Sequence, residues 1–78
     1  MAFYIEINKV AETEEYVEYS FGQLVDVGML RLDKVRGTVT ILSECPLDQH
    51  GHWSLRATVK LTRHWKEGIL PEKTEWAS

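Results

Sequence analysis

The chain reads as a two-layer α+β domain, an antiparallel meander of four strands packed by one C-terminal helix in ββββα order. Three observations predict it. Apolar and polar residues alternate through residues 3–42, the period of half-buried strands. Near residue 53 the apolar period lengthens to that of an amphipathic helix. Finally, 78 residues leave room for a single domain spanning residues 1–78 and for a small core.

The first strand is Phe3 to Asn8, where Phe3, Ile5 and Ile7 share one face and Tyr4, Glu6 and Asn8 the other. The second is Tyr16 to Phe21, with Val17, Tyr19 and Phe21 facing one way. A polar, acid-rich connection, Ala11 to Glu15, makes these two the arms of a hairpin. Leu24 to Val27, bracketed by Gly22 and Gly28, reads as a loop or as an extension of the second strand. The third and fourth strands form a hairpin: Met29 to Asp33, a turn at Lys34-Val35-Arg36-Gly37, then Thr38 to Leu42. Gly37 fits the positive-φ position that closes such a loop.

Ser43 to His52 is a loop in which Pro46 biases Cys45 away from helix. The helix covers about residues 53–67. On a wheel, Leu55, Val59, Thr62 and Trp65 make its apolar stripe, joined at its edge by Leu61, while Arg56, Lys60 and Arg63 lie opposite. Ser54 or a residue just before it supplies the N-cap, Gly68 the C-cap, and Pro71 forbids continuation. The tail, residues 69–78, carries Trp76 and folds back onto the body. The expected core is Phe3, Ile5, Ile7, Val17, Tyr19, Phe21, Leu30, Leu32, Val39, Ile41, Leu55, Val59 and Trp65, each worth about 1.5–3 kcal/mol if fully buried.

Composition excludes several classes. With 44% hydrophobic and 27% charged residues the chain is neither disordered nor fibrous. No apolar run approaches the ~20 residues that span a bilayer, so no membrane partner is expected. The start, MAFYIEINKV, lacks the basic and apolar regions of a secretory signal, and one cysteine makes no internal disulfide. A cytoplasmic location is the expectation. Net charge is −3, unevenly spread: residues 1–30 hold six acids against one base, and the remainder eight bases against six acids. This layout gives one acidic edge and one basic face. A pI of about 5.5 argues against general nucleic-acid binding.

His50-Gly51-His52, with Cys45 upstream and His64 downstream, is the one metal-like cluster, but its spacing matches no pattern with a built-in mechanism. The commoner reading is solvated histidines and a buried cysteine. Cys45 opens a loop with no helix N-terminus behind it to activate it for nucleophilic work, and no glycine-rich loop cradles phosphate. Glu12, Glu14 and Glu15 lack an apolar pocket that would tune them for proton transfer. Catalysis, cofactor and metal are therefore not expected. The more specific feature is acidic residues interleaved with an aromatic: Glu12, Glu14, Glu15, Tyr16 and Glu18. Solvated charge is the usual meaning of such a run, yet aromatics set in acidic surface also suit an interface with a basic protein.

The C-terminal stretch joins Arg56-Ala57, Lys60-Leu61, His64-Trp65-Lys66-Glu67-Gly68 and Leu70-Pro71-Glu72-Lys73-Thr74-Glu75-Trp76-Ala77-Ser78. It resembles a recurrent ending of small bacterial proteins, a helix finishing in HWxxG followed by PExTxWAS. The hairpin Gly28-Met29-Leu30-Arg31-Leu32-Asp33-Lys34 with Gly37 also looks like theirs. That family looks like the immunity proteins of polymorphic-toxin or contact-dependent growth inhibition systems. The resemblance implies a cytoplasmic inhibitor that binds a cognate, basic toxin domain, for instance a nuclease, stoichiometrically and catalyses nothing. In it Trp65 and Trp76 would buttress the helix end. The alternatives are a small nucleic-acid-binding or regulatory module using the basic helix face, and a small metal-binding enzyme subunit resting only on the histidines.

Overall fold

Alternation builds the first four strands of the sheet. The computed structural model describes residues 4–23, 25–48 and 50–77. In order come β1 (Tyr4–Glu12), β2 (Tyr16–Gln23), β3 (Asp26–Asp33), β4 (Val39–Ser43), α1 (His52–Glu67) and β5 (Lys73–Ala77). The strands form one antiparallel sheet in the order β4-β3-β2-β1-β5, with α1 against one face. The class is α+β as expected, but the tail adds a fifth strand. Lys73 to Ala77 pairs with β1 in the register Asn8↔Lys73 to Tyr4↔Ala77, so the meander is extended on its far side after the helix. Five residues with Thr74 and Trp76 on one face are too short a run to separate from a loop by pattern. Their partner strand decides.

Facing α1, Ile5, Ile7, Val17, Tyr19, Phe21, Leu30 and Leu32 are all fully buried. Phe3 and Leu24 lie outside the described residues. The turn between β3 and β4 is as expected. Asp33 Oδ1 accepts from the amides of Val35 and Arg36 at 2.8 and 2.9 Å, and Gly37 closes the loop at φ 74°. A Cβ at Gly37 would stand 2.5 Å from the Trp65 ring, whose Nε1 donates to the Lys34 carbonyl at 2.7 Å. Trp65 thereby locks the helix end to this turn.

The helix lies where the period places it, but it is rotated from the expected face. Leu55 and Val59, expected in the core, are 61% and 40% exposed. The row that meets the sheet is Trp53, Ala57, Leu61 and Trp65, at i+4 spacing, with Ala57 and Leu61 fully buried between two partly buried indoles. Packing two tryptophans covers more apolar area than packing Leu55 and Val59, so the row containing them wins. Ile41, also expected in the core, is 37% exposed because β4 is an edge strand with a neighbour on one side only. Cys45 joins the core instead, its Sγ 3.2 Å from the Asp26 carbonyl.

At the helix start Gly51, not Ser54, occupies the N-cap position, and the Asp48 carboxylate accepts the Ser54 amide at 3.1 Å. Gly68 ends the helix at φ 79°, its N–H reaching the Trp65 carbonyl while that of Ile69 reaches His64, a Schellman closure. Trp76 does not buttress the helix end. It pairs across from Ile5 and lies under the Arg56 guanidinium, 5.4 Å from the ring centroid, near the helix start.

Candidate acidic surface

The acidic connection is a tight, pinned turn between β1 and β2. Thr13 Oγ1 accepts the amides of Glu15 and Tyr16, each at 3.1 Å, and Thr13 N–H donates to the Tyr16 carbonyl at 2.8 Å. Lys34 braces it from the next hairpin: its Nζ donates to the Thr13 carbonyl at 2.8 Å and its amide to the Glu15 carbonyl at 2.9 Å. Glu14 and Glu15 project from this platform, exposed and outside any ion pair among the described residues. Tyr16 stands beside them, and together with Thr13 they line a shallow depression.

Tyr16 and Glu18 belong to the sheet face away from α1. The Arg31 guanidinium sits 4.1 Å from the Tyr16 ring centroid and donates to Glu18 Oε2 from Nε and Nη2 at 2.8 and 2.6 Å. The structure thus brings Glu14, Glu15 and Tyr16 together, and ties Glu18 to them through Arg31.

Glu12 goes elsewhere. A bulge at Val10 shifts the register between Lys9 and Ala11, so Lys9 opposes Tyr19 while Glu12 opposes Val17. Both therefore land on the helix side. Lys9 Nζ donates to Glu12 Oε1 at 2.7 Å and to the Leu70 carbonyl at 2.9 Å, and Lys34 meets Glu12 Oε2 at 2.6 Å. These two lysines, Lys34 first, hold the Glu12 carboxyl down at about 2. Beside them the Tyr19 hydroxyl donates to the Pro71 carbonyl at 2.6 Å, and burial pushes it up to about 12. Glu12 stays a carboxylate and Tyr19 a phenol throughout the physiological range. Both serve as fixed partners that clamp the tail.

Alternation along β1 had placed Glu6 on the open face; sheet register now sets Glu75 directly opposite it, with the Tyr4 hydroxyl beside the Glu75 carboxylate. Burial, and then that carboxylate, raise Tyr4 above its ordinary value. Like charges directly opposed across strands are unfavourable, and Lys73, opposite Asn8, lies on the same face. No local signal links residues 6 and 75; only the strand pairing does.

The other candidates are scattered. Cys45 is buried, the His50 and His52 rings are 5.9 Å apart at the start of the helix, and His64 Nε2 lies 3.1 Å from Thr74 Oγ1. No group of three or more His, Cys, Asp or Glu among the described residues is arranged to hold a metal ion. On the helix, Arg63 and Lys66 line a shallow groove with Thr58, Val59 and Thr62, and the exposed Leu55 and Val59 interrupt the basic surface. Among the described residues no helix is long and apolar enough to cross a membrane. No protein-family model matches the chain, and neither a curated protein nor a solved structure is significantly similar to it.

Proposed function

We propose that this chain is an immunity protein: a cytoplasmic, non-catalytic inhibitor that binds a basic toxin domain one to one. The observation that supports it best is the pinned β1–β2 turn. Glu14 and Glu15 are held out by backbone and Lys34 contacts, outside any ion pair among the described residues, next to the half-buried Tyr16. A rigid turn displays its charges without an ordering cost on binding, which favours fast encounter with a cationic partner. Tyr16, already ordered under Arg31, supplies aromatic area at the same place.

The test is co-expression with the C-terminal domain encoded immediately upstream, scoring growth with and without this chain, followed by binding kinetics. Glu14→Lys with Glu15→Lys should slow association about tenfold and flatten its salt dependence, whereas Tyr16→Ala should chiefly speed dissociation, costing about 2 kcal/mol. Unchanged kinetics in both variants, or tight salt-dependent binding of the wild type to an oligonucleotide, would overturn the reading.

A further inference from the structure

Strand register sets Arg31 of β3 opposite Glu18 of β2, and Tyr16 opposite Asp33. On the uncovered face Arg31 therefore stands level with Glu18 and diagonal to Tyr16, and its guanidinium uses both. Nε and Nη2 donate to one Glu18 oxygen, Oε2, at 2.8 and 2.6 Å, and the cation lies 4.1 Å from the Tyr16 ring centroid. Two donors on one acceptor fix the plane of the fork, and the fork fixes the ring beneath it. Glu18 is the better shielded of the pair, its side chain 17% exposed against 44% for Arg31.

The ring matters because of where it stands. With Glu15, Tyr16 borders both the hollow over the β1–β2 turn and a second cleft of about 320 Å³ that continues to Arg31, Asp33, Thr38 and Thr40. Swinging the ring would reshape both.

We propose that Arg31 is a positioning residue for Tyr16, anchored by Glu18, and that it holds the ring in its bound pose before the partner arrives. Only the identity of the partner rests on the immunity reading. Two of the four glutamates expected at the interface are then internal counter-ions: Glu18 for Arg31, and Glu12 for Lys34, which braces the turn. Glu14 and Glu15 are left to meet the partner. Ordering one such side chain on binding costs about three- to tenfold in affinity, which is the gain from ordering it beforehand.

Charge separates this role from a direct one. Facing a basic partner, Arg31→Gln removes a repulsion and Glu18→Gln an attraction, so direct electrostatics would move association in opposite directions. Positioning moves dissociation in the same direction for both. Each should raise the dissociation rate from the domain encoded upstream about three- to tenfold. Arg31→Lys should do the same, because an ammonium keeps the charge and lacks the fork. In a Tyr16→Ala background all three should have no further effect on dissociation, an outcome that a general loss of stability would not produce. In the free chain, nuclear magnetic resonance should find the Arg31 side-chain protons shifted upfield by the Tyr16 ring, and Glu18→Gln should return them to ordinary positions.

Arg31 protons without that shift overturn the proposal and leave the immunity reading standing. So do Arg31→Gln and Glu18→Gln moving dissociation in opposite directions, or acting equally with and without Tyr16. A wild type that does not bind the upstream domain overturns the immunity reading instead, and the ring shift with its loss in Glu18→Gln then decides the positioning by itself.

Discussion

Lys9 and Glu12 are three positions apart, which in a regular strand puts them on opposite faces. The bulge at Val10 places them on the same one, and their ion pair follows. Its pH signature has a definite sign. Glu12 has an ordinary carboxyl value of 4.5 when unfolded and about 2 when folded. The ionised form is favoured by folding, so its stabilisation is complete above pH 4.5 and is lost as pH falls toward 2. Glu12→Gln should flatten the urea-midpoint profile across that window, and an unchanged acid slope would show that the clamp contributes nothing. Tyr19 runs the other way. Its value rises on folding from 10.0 to about 12, so its stabilisation holds below pH 10 and fades through that interval. Tyr19→Phe should remove this alkaline loss and cost about 1 kcal/mol at neutral pH by leaving the Pro71 carbonyl without its donor. Gly37→Ala should cost about 2 kcal/mol or more, since the turn needs φ 74° and a methyl there would meet the Trp65 ring.

At the scale of elements, the helix is the informative case. Its position, length and C-cap were legible because a 3.6-residue period, Gly68 and Pro71 are local signals. Its rotation was not. Two apolar rows compete on the same cylinder, Leu55–Val59 and Trp53–Ala57–Leu61–Trp65, and hydropathy weighs Ala57 too lightly and the tryptophans too little to choose between them. The sheet chooses, because the buried row must fill the space above β1 and β2. Leu61→Ala should therefore cost about 2–5 kcal/mol, while Leu55→Ala and Val59→Ala should each stay within about 0.5 kcal/mol. Thermal denaturation of the three variants measures this, and comparable losses at all three would restore the other face.

For the whole molecule, the tail is what closes the structure. β5 covers the edge of β1, the Leu70 and Pro71 carbonyls accept from Lys9 and Tyr19, and Trp76 lies on the core. Ending the chain after Ile69 would expose a strand edge and leave a nearly buried ammonium and a buried hydroxyl short of partners. A domain of 78 residues has little stability in reserve. The shortened chain should lose its cooperative thermal transition and sediment as aggregates, and a cooperative monomer would refute the clamp.

The class, the order of the first four strands, the Gly37 turn and the helix limits were legible in the sequence alone. They depend on period and on glycine and proline chemistry, which act within a few residues. Strand limits were less so: β1 runs on through Ala11 and Glu12, read as connection, and β3 begins at Asp26, inside the stretch read as a loop or as part of the second strand. The fifth strand, the face of the helix, the internal use of Glu12 and the meeting of Glu6 with Glu75 were decided only in the tertiary structure. Each depends on register or rotation between segments distant in the chain. A shift of one residue there reverses which side chains are buried, while the local pattern stays the same.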